Sequence, residues 1–132
     1  MPAANLLGDP AIHADKGFAG VMQTFDNTRP LVAAMAIGLT RACLEETWKL
    51  LDTAGLSVDY RRPSLVQSSA AATLLGLEAD YEAARLLTLQ AAWMADNRKP
   101  NSLQASMAKA KAGRTCVDVA LKCVEIAGSL GY

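Results

Sequence analysis

The stretch from Phe25 to Leu51, FDNTRPLVAAMAIGLTRACLEETWKLL, constrains the fold of this chain more than any other. Apolar residues recur at Val32, Ala36, Leu39, Cys43 and Leu50, close to heptad spacing, and Met35, Ala42 and Leu51 widen the stripe. That period belongs to a helix with one buried face. Asp26, Asn27 and Thr28 can accept bonds from the free N–H groups at a helix start, and Pro30 suits a first turn, where its missing N–H costs nothing. The sequence therefore predicts a helix that opens at Asp26. A helix of this length draws its stability from packing, which makes it one stave of a bundle.

Two more helices follow. Leu74, Leu77, Tyr81, Ala84, Thr88 and Ala91 mark the inner face of a second, from Ser64 to Asp96. A third starts at Asn101 or Ser102 and runs to about Ala127, with the stripe Ala105, Ala108, Ala112, Cys116, Val119, Cys123 and Ile126. Its alanines allow close approach between helices. Gly55 is a stop for the first helix, Arg62 before Pro63 is pushed away from helical geometry, and Asn97-Arg98-Lys99-Pro100 ends the second. Gly128 stops the third. Residues 1–17 carry two prolines and two glycines and read as a lead-in, while Gly17 to Thr24 forms a short helical turn. The expected fold is all-α: an up-down antiparallel bundle of three long helices over 25–132, preceded by a lead-in over 1–24. An uncovered apolar stripe should remain where a fourth helix would pack.

Composition agrees with helices. Apolar residues reach 52% but aromatics only 5%, with alanine and leucine dominant and strand-forming types scarce. Thirteen basic residues balance thirteen acidic ones, which argues against nucleic acid as a partner. The longest apolar run, Leu31 to Leu39, is about half of the roughly 20 residues a membrane span needs, and the N-terminus lacks the pattern of a signal peptide. Three cysteines, Cys43, Cys116 and Cys123, read as reduced core residues of a cytoplasmic protein.

Candidate chemistry is sparse. His13 is the single histidine and stands in the lead-in, so nothing supports a nucleophile–base pair or a zinc site. No phosphate-cradling glycine motif occurs. Glu45 and Lys49 stand in the favourable i,i+4 order, and Lys109, Lys111 and Arg114 read as a solvated face. On the residues alone the chain is a helical bundle without a visible active site.

Two motifs add a family. FDNTRPLVAAMAIG at 25–38 resembles the opening of the C-terminal helical domain of acyl-CoA dehydrogenases. AWMADNRKPNSLQASMAKAKAGRTCVDVALKCVEIAGSLGY at 92–132 resembles that domain's later helix pair, including A-S-x-A-K-A and the closing I-x-G-x-x-G-Y. The lead-in PAANLLGDP…KGFAGVM resembles the family's exit from its β-domain. The resemblance covers essentially the whole chain and is weakest over 55–70.

It implies the C-terminal portion of an FAD-dependent oligomeric enzyme that removes hydrogens from Cα and Cβ of an acyl-CoA thioester and passes electrons to an acceptor. It implies that Asp26, Asn27, Thr28 and Arg29 contact substrate, that Gln67 stands near the flavin, and that Glu125, Ile126, Ala127, Gly128 and Ser129 meet the FAD of a neighbouring subunit. The family's Arg-x-x-Phe-Gly before Gln67 is replaced by Tyr60-Arg61-Arg62-Pro63-Ser64-Leu65-Val66, leaving Arg61 and Arg62 as candidates for the flavin pyrophosphate. Glu125 replaces a usual Gln and Ser129 a Gly. These departures fit a divergent subgroup or a heteromeric assembly. In a minority of the family the catalytic base is a Glu where this chain has Thr28, and in the majority it follows the closing Gly-Tyr. The base is thus expected beyond Tyr132, with none in this chain, and the bundle is expected to be inactive alone and to self-associate. A stand-alone helical assembly module is the alternative.

Overall fold

The computed structural model describes Pro2, Asn5 and residues 14–131, with helical side chains from Gly17 onward. His13, most of the lead-in and Tyr132 lie outside the described residues. Among the described residues all regular structure is helical: α1 (Ala14–Thr53), α2 (Ser69–Asp96) and α3 (Ser102–Ala127), with 3-10 turns at Ser64–Val66 and Gly128–Gly131.

Along α1 from Ala33 to Leu51, the buried partners on α2 run backwards from Ala91 to Leu74. Those on α3 run forwards from Ala108 to Cys123. Thus α2 is antiparallel to both other helices, the expected up-down order. Alanine makes the upper half of the core: Ala84, Ala91, Ala105, Ala108 and Ala112 are fully buried. Leu44, Leu51, Leu74, Val119 and Cys123 fill the lower half. The stripe expected on α3 is the one it buries, apart from Ile126, which is half-buried.

Three expectations are corrected. First, α1 does not open at Asp26; it begins at Ala14 and carries Pro30 inside it, so Gly17–Thr24 is its early course and no separate turn. Second, its buried face is Ala33, Ile37, Leu44 and Leu51 together with Thr40 and Thr47, whereas Val32, Met35 and Leu39 are 48%, 75% and 57% exposed. The threonines look polar in sequence but return their hydroxyls to the carbonyls four residues back, Thr40 to Ala36 at 2.7 Å and Thr47 to Cys43 at 2.8 Å. With apolar residues on nearly every side of α1, an apolar count was centred off the buried face: of the expected stripe Leu51 is buried and Ala36, Cys43 and Leu50 are half-buried, while Val32, Met35, Leu39 and Ala42 are exposed. Third, α2 opens at Ser69. Ser64–Val66 makes a single 3-10 turn after Pro63, Gln67 is extended, and Ser68 caps the helix by accepting the Ala71 N–H at 3.2 Å.

The stops behave as read. The Gly55 and Leu56 N–H groups return to Asp52 and Leu51, closing α1. Gly128 ends α3 at φ 58°, ψ −127°, a conformation open essentially to glycine. A Cβ on Gly131 would stand 2.8 Å from the Val124 carbonyl oxygen, so the terminal turn folds back only because that residue has none.

Replacing Ala108 by leucine forces extra carbons into the seam where α1, α2 and α3 meet. Urea unfolding of Ala108→Leu should show a loss of about 2 kcal/mol or more. A midpoint equal to that of the unsubstituted chain would mean that the seam is not packed as described.

Candidate functional site

The segment Asp26–Arg29 sits at one end of the bundle, and its geometry follows from Pro30. A proline inside a helix has no N–H for the carbonyl four residues earlier, here that of Asp26. Asn101 approaches that carbonyl instead: its Nδ2 donates to Asp26 O at 3.4 Å and to Ala91 O at 3.3 Å. Asn101 holds the N-cap position of α3, yet its side chain caps nothing. Next to it, the Ser102 hydroxyl donates to Asp26 Oδ1 at 3.1 Å, and the same oxygen accepts Arg29 Nη1 at 2.7 Å. The Arg29 guanidinium lies 5.7 Å from the Phe25 ring centroid.

Successive helical residues point about 100° apart, so the four residues do not share one space. Thr28 and Arg29 border a cleft of about 290 Å³ with Phe25, Val32 and Lys109. Asp26 and Asn27 border a separate hollow of about 710 Å³ that reaches Arg98 and Lys99 at the α2–α3 corner. The smaller cleft combines two cations with an aromatic and an aliphatic wall. That composition suits a ligand with an apolar part and a carbonyl or anionic group.

Gln67 and Glu125–Ser129 lie at the other end, roughly 35–40 Å away along α3 at 1.5 Å per residue. Gln67 staples its own loop. Its Oε1 accepts the Asp59 N–H at 3.0 Å, and its Nε2 donates to the carbonyls of Asp59 at 3.0 Å and Arg62 at 2.9 Å. Arg61 pairs with Asp59 at 3.2 Å, whereas Arg62 has no ion pair among the described residues. Glu125 is neutralised by Lys122 at 2.6 Å. Ile126 and Ala127 are half-buried, and Gly128 and Ser129 are exposed.

A second cluster was not anticipated. Glu78 accepts from Trp48 Nε1 at 2.5 Å and from the Tyr60 hydroxyl at 3.0 Å, and the two rings stack with centroids 5.5 Å apart. This pins the α1–α2 loop, and Gln67 with it, onto the bundle beside an open cleft of about 700 Å³ between α1 and α2. A tryptophan in a chain so poor in aromatics was the available signal. The expected Glu45–Lys49 pair does not form: Glu45 takes Arg41 and Glu46 takes Lys49, each at 2.6 Å. Lys111 reaches Asp80 on α2 at 2.6 Å. Burial pushes the Cys43 and Cys123 thiols up, so both stay protonated and unreactive. No group of metal-ligating side chains occurs among the described residues.

The family model for the acyl-CoA dehydrogenase C-terminal domain matches residues 15–132. A probable acyl-CoA dehydrogenase, YngJ, of Bacillus subtilis is 31% identical over 132 residues, covering all of this chain and 33% of the relative. The mitochondrial short-chain specific acyl-CoA dehydrogenase of Mus musculus is also 31% identical over the whole chain, which covers 30% of it. The CarC subunit of the caffeyl-CoA reductase–Etf complex of Acetobacterium woodii is 33% identical, with 33% of its length covered. The chain spans about a third of the length of the curated relatives it matches.

Desolvation beside Trp48 and then the bond and charge of Glu78 push the Tyr60 phenol up to about 12. The folded value lies above the unfolded value of about 10. Its contribution to stability is therefore complete below pH 10 and is lost as pH rises towards 12. Phenolate absorbance should show a late-titrating component that is absent in Tyr60→Phe and titrates earlier in Glu78→Gln. Simultaneous ionisation of all the tyrosines near pH 10 would contradict the clamp.

Proposed function

The chain belongs to the acyl-CoA dehydrogenase family, within its C-terminal domain, and on that footing we propose that it is the bundle portion of an FAD-dependent enzyme that dehydrogenates acyl-CoA thioesters between Cα and Cβ. In this reading the bundle starts with α1 at Ala14, and the residues before it are the way out of a β-domain. The observation that carries it is the Arg29 guanidinium, fixed by Asp26 and set beside Phe25, Val32 and Lys109. Arg29 and Lys109 meet the polar thioester region of the substrate while the apolar wall takes its carbon chain.

The far end of the bundle fits a flavin dinucleotide in charge. Arg62 is the freer of the two loop arginines and is assigned to the pyrophosphate, and Lys122 offsets the carboxylate of Glu125 that would otherwise repel it. Gln67 serves there through the loop it closes. FAD supplies the acceptor for the hydride that leaves Cβ. The separation of the two ends supports one chain serving two active sites, with Asp26–Arg29 in one and Glu125–Ser129 in the next. Thr28 stands where a minority of the family carries its base and cannot abstract a proton at neutral pH, so this reading takes the base from outside the residues described and expects the bundle alone to be inactive.

Assembly is supported by the apolar side of α1 that the other two helices leave uncovered. Phe18, Val21, Phe25, Val32, Met35 and Leu39 recur at three, four and seven along the uncovered side of α1. An oligomer, homomeric or heteromeric, and an electron-transfer acceptor complete the enzyme, the latter supported by the Etf-complex relative. No described helix is long and apolar enough to cross a membrane, and the unpaired thiols support the cytoplasm.

Two measurements test this reading. In the full-length protein, Arg29→Gln should raise KM for the acyl-CoA thioester by about tenfold; unchanged kinetics across a butyryl- to palmitoyl-CoA series would overturn it. The isolated chain, gel-filtered with excess FAD under light-scattering detection, should elute as an oligomer without turnover. A monodisperse monomer would refute self-association.

A further inference from the structure

We propose that Ser102, with Asn101 beside it, is a positioning residue for Arg29, holding the substrate-contacting end of α1 in register with the α2–α3 corner. The proposal rests on the reading of Asp26–Arg29 as the substrate contact.

Asp26 and Arg29 bind each other, but both lie on α1, three residues apart, so their pair cannot anchor itself to the bundle. Among the described residues, the one hydrogen bond joining the side chains of this pair to another element is Ser102 Oγ to Asp26 Oδ1 at 3.1 Å. The backbone beneath them is where α1 is weakest, because Pro30 leaves the Asp26 carbonyl without its intrahelical donor. Asn101, 7% exposed, gives its amide to that carbonyl and to Ala91 rather than to its own helix end. Two adjacent residues thus hold Asp26 twice, by its main-chain oxygen and by its carboxylate.

The consequence falls on Arg29. A long arginine side chain loses considerable rotamer freedom on binding, and a carboxylate already fixed in place removes part of that loss beforehand. Asp26 is its hydrogen-bond partner among the described residues, so the remaining guanidinium donors are available to a ligand. Without the Ser102 hydroxyl, Asp26 and Arg29 can swing together about α1, and the substrate must order them.

Ser102 is exposed at the start of α3, so Ser102→Ala should fold. In the full-length protein, assayed with whichever thioester of a butyryl- to palmitoyl-CoA series is turned over fastest, Ser102→Ala should raise KM about five- to tenfold with kcat changed less than about twofold. Ser102→Thr, which keeps the hydroxyl, should restore KM. A role confined to stability would lower the active fraction and the melting temperature without this split. If Arg29→Gln raises KM while Ser102→Ala does not, or if Ser102→Thr fails to rescue, the positioning role is overturned and the site reading stands. If Arg29→Gln itself leaves KM unchanged, the site reading fails and takes this inference with it.

Discussion

The close approach of three helices along a seam of alanines is the constraint on which the rest of the structure depends. Ala84 and Ala91 on α2 and Ala108 and Ala112 on α3 are fully buried around Ala33 and Ile37 of α1, and Ala105 is buried one turn before Ala108. Small side chains contribute little apolar area each. Their value is separation, since helix axes can draw together only where no bulky side chain intervenes. That separation puts the short amide of Asn101 within reach of carbonyls on two other helices. A wider bundle would leave the half-buried Asp26 carbonyl facing Pro30 without a protein donor.

From that seam outward, the molecule divides into two ends. At one, a defect in α1 is tied to the α2–α3 corner and an arginine is held over an apolar cleft. At the other, the Trp48–Glu78–Tyr60 cluster and the Gln67 staple fix the long loop against the helix ends, where the Gly128–Gly131 turn folds back on Val124. The first end relies on a side chain that satisfies main-chain groups of two other helices, the second on side-chain bonds that join α1, its loop and α2, so neither end can move far without the core moving too. Between them the outer side of α1 stays apolar and open. The helix buries a face on each side only when something beyond the three helices covers it.

Legibility in the sequence varied with how local the governing interaction was. The stripe of α3 and the stops at Gly55 and Gly128 were readable because periodicity on one face and a backbone angle reserved for glycine need no distant partner. The start of α1 was misread because Asp26, Asn27, Thr28 and Pro30 are the residues of a helix start, and what lets the helix run through them is a donor 75 residues away. The buried face of α1 was misread because Thr40 and Thr47 are polar in composition and apolar in effect once their hydroxyls turn back on the helix. For the proposed site, the family motifs singled out Asp26–Arg29 and Glu125–Ser129. Nothing in their spelling revealed that the former divides between two clefts, or that Glu78, 30 residues from Trp48, clamps the loop.

By itself the sequence determined the helical class, the three staves and their order, the alanine face of α3 and the family, because each follows from periodicity, propensity or a contiguous motif. Only the tertiary structure decided which side of α1 is buried, that Pro30 is bridged rather than terminal, and that the segments proposed to meet substrate and flavin stand at opposite ends. Those outcomes depend on which groups meet across helices. A carbonyl freed by a proline, or a carboxylate shared by a serine and an arginine, takes its meaning from a partner that no local pattern names.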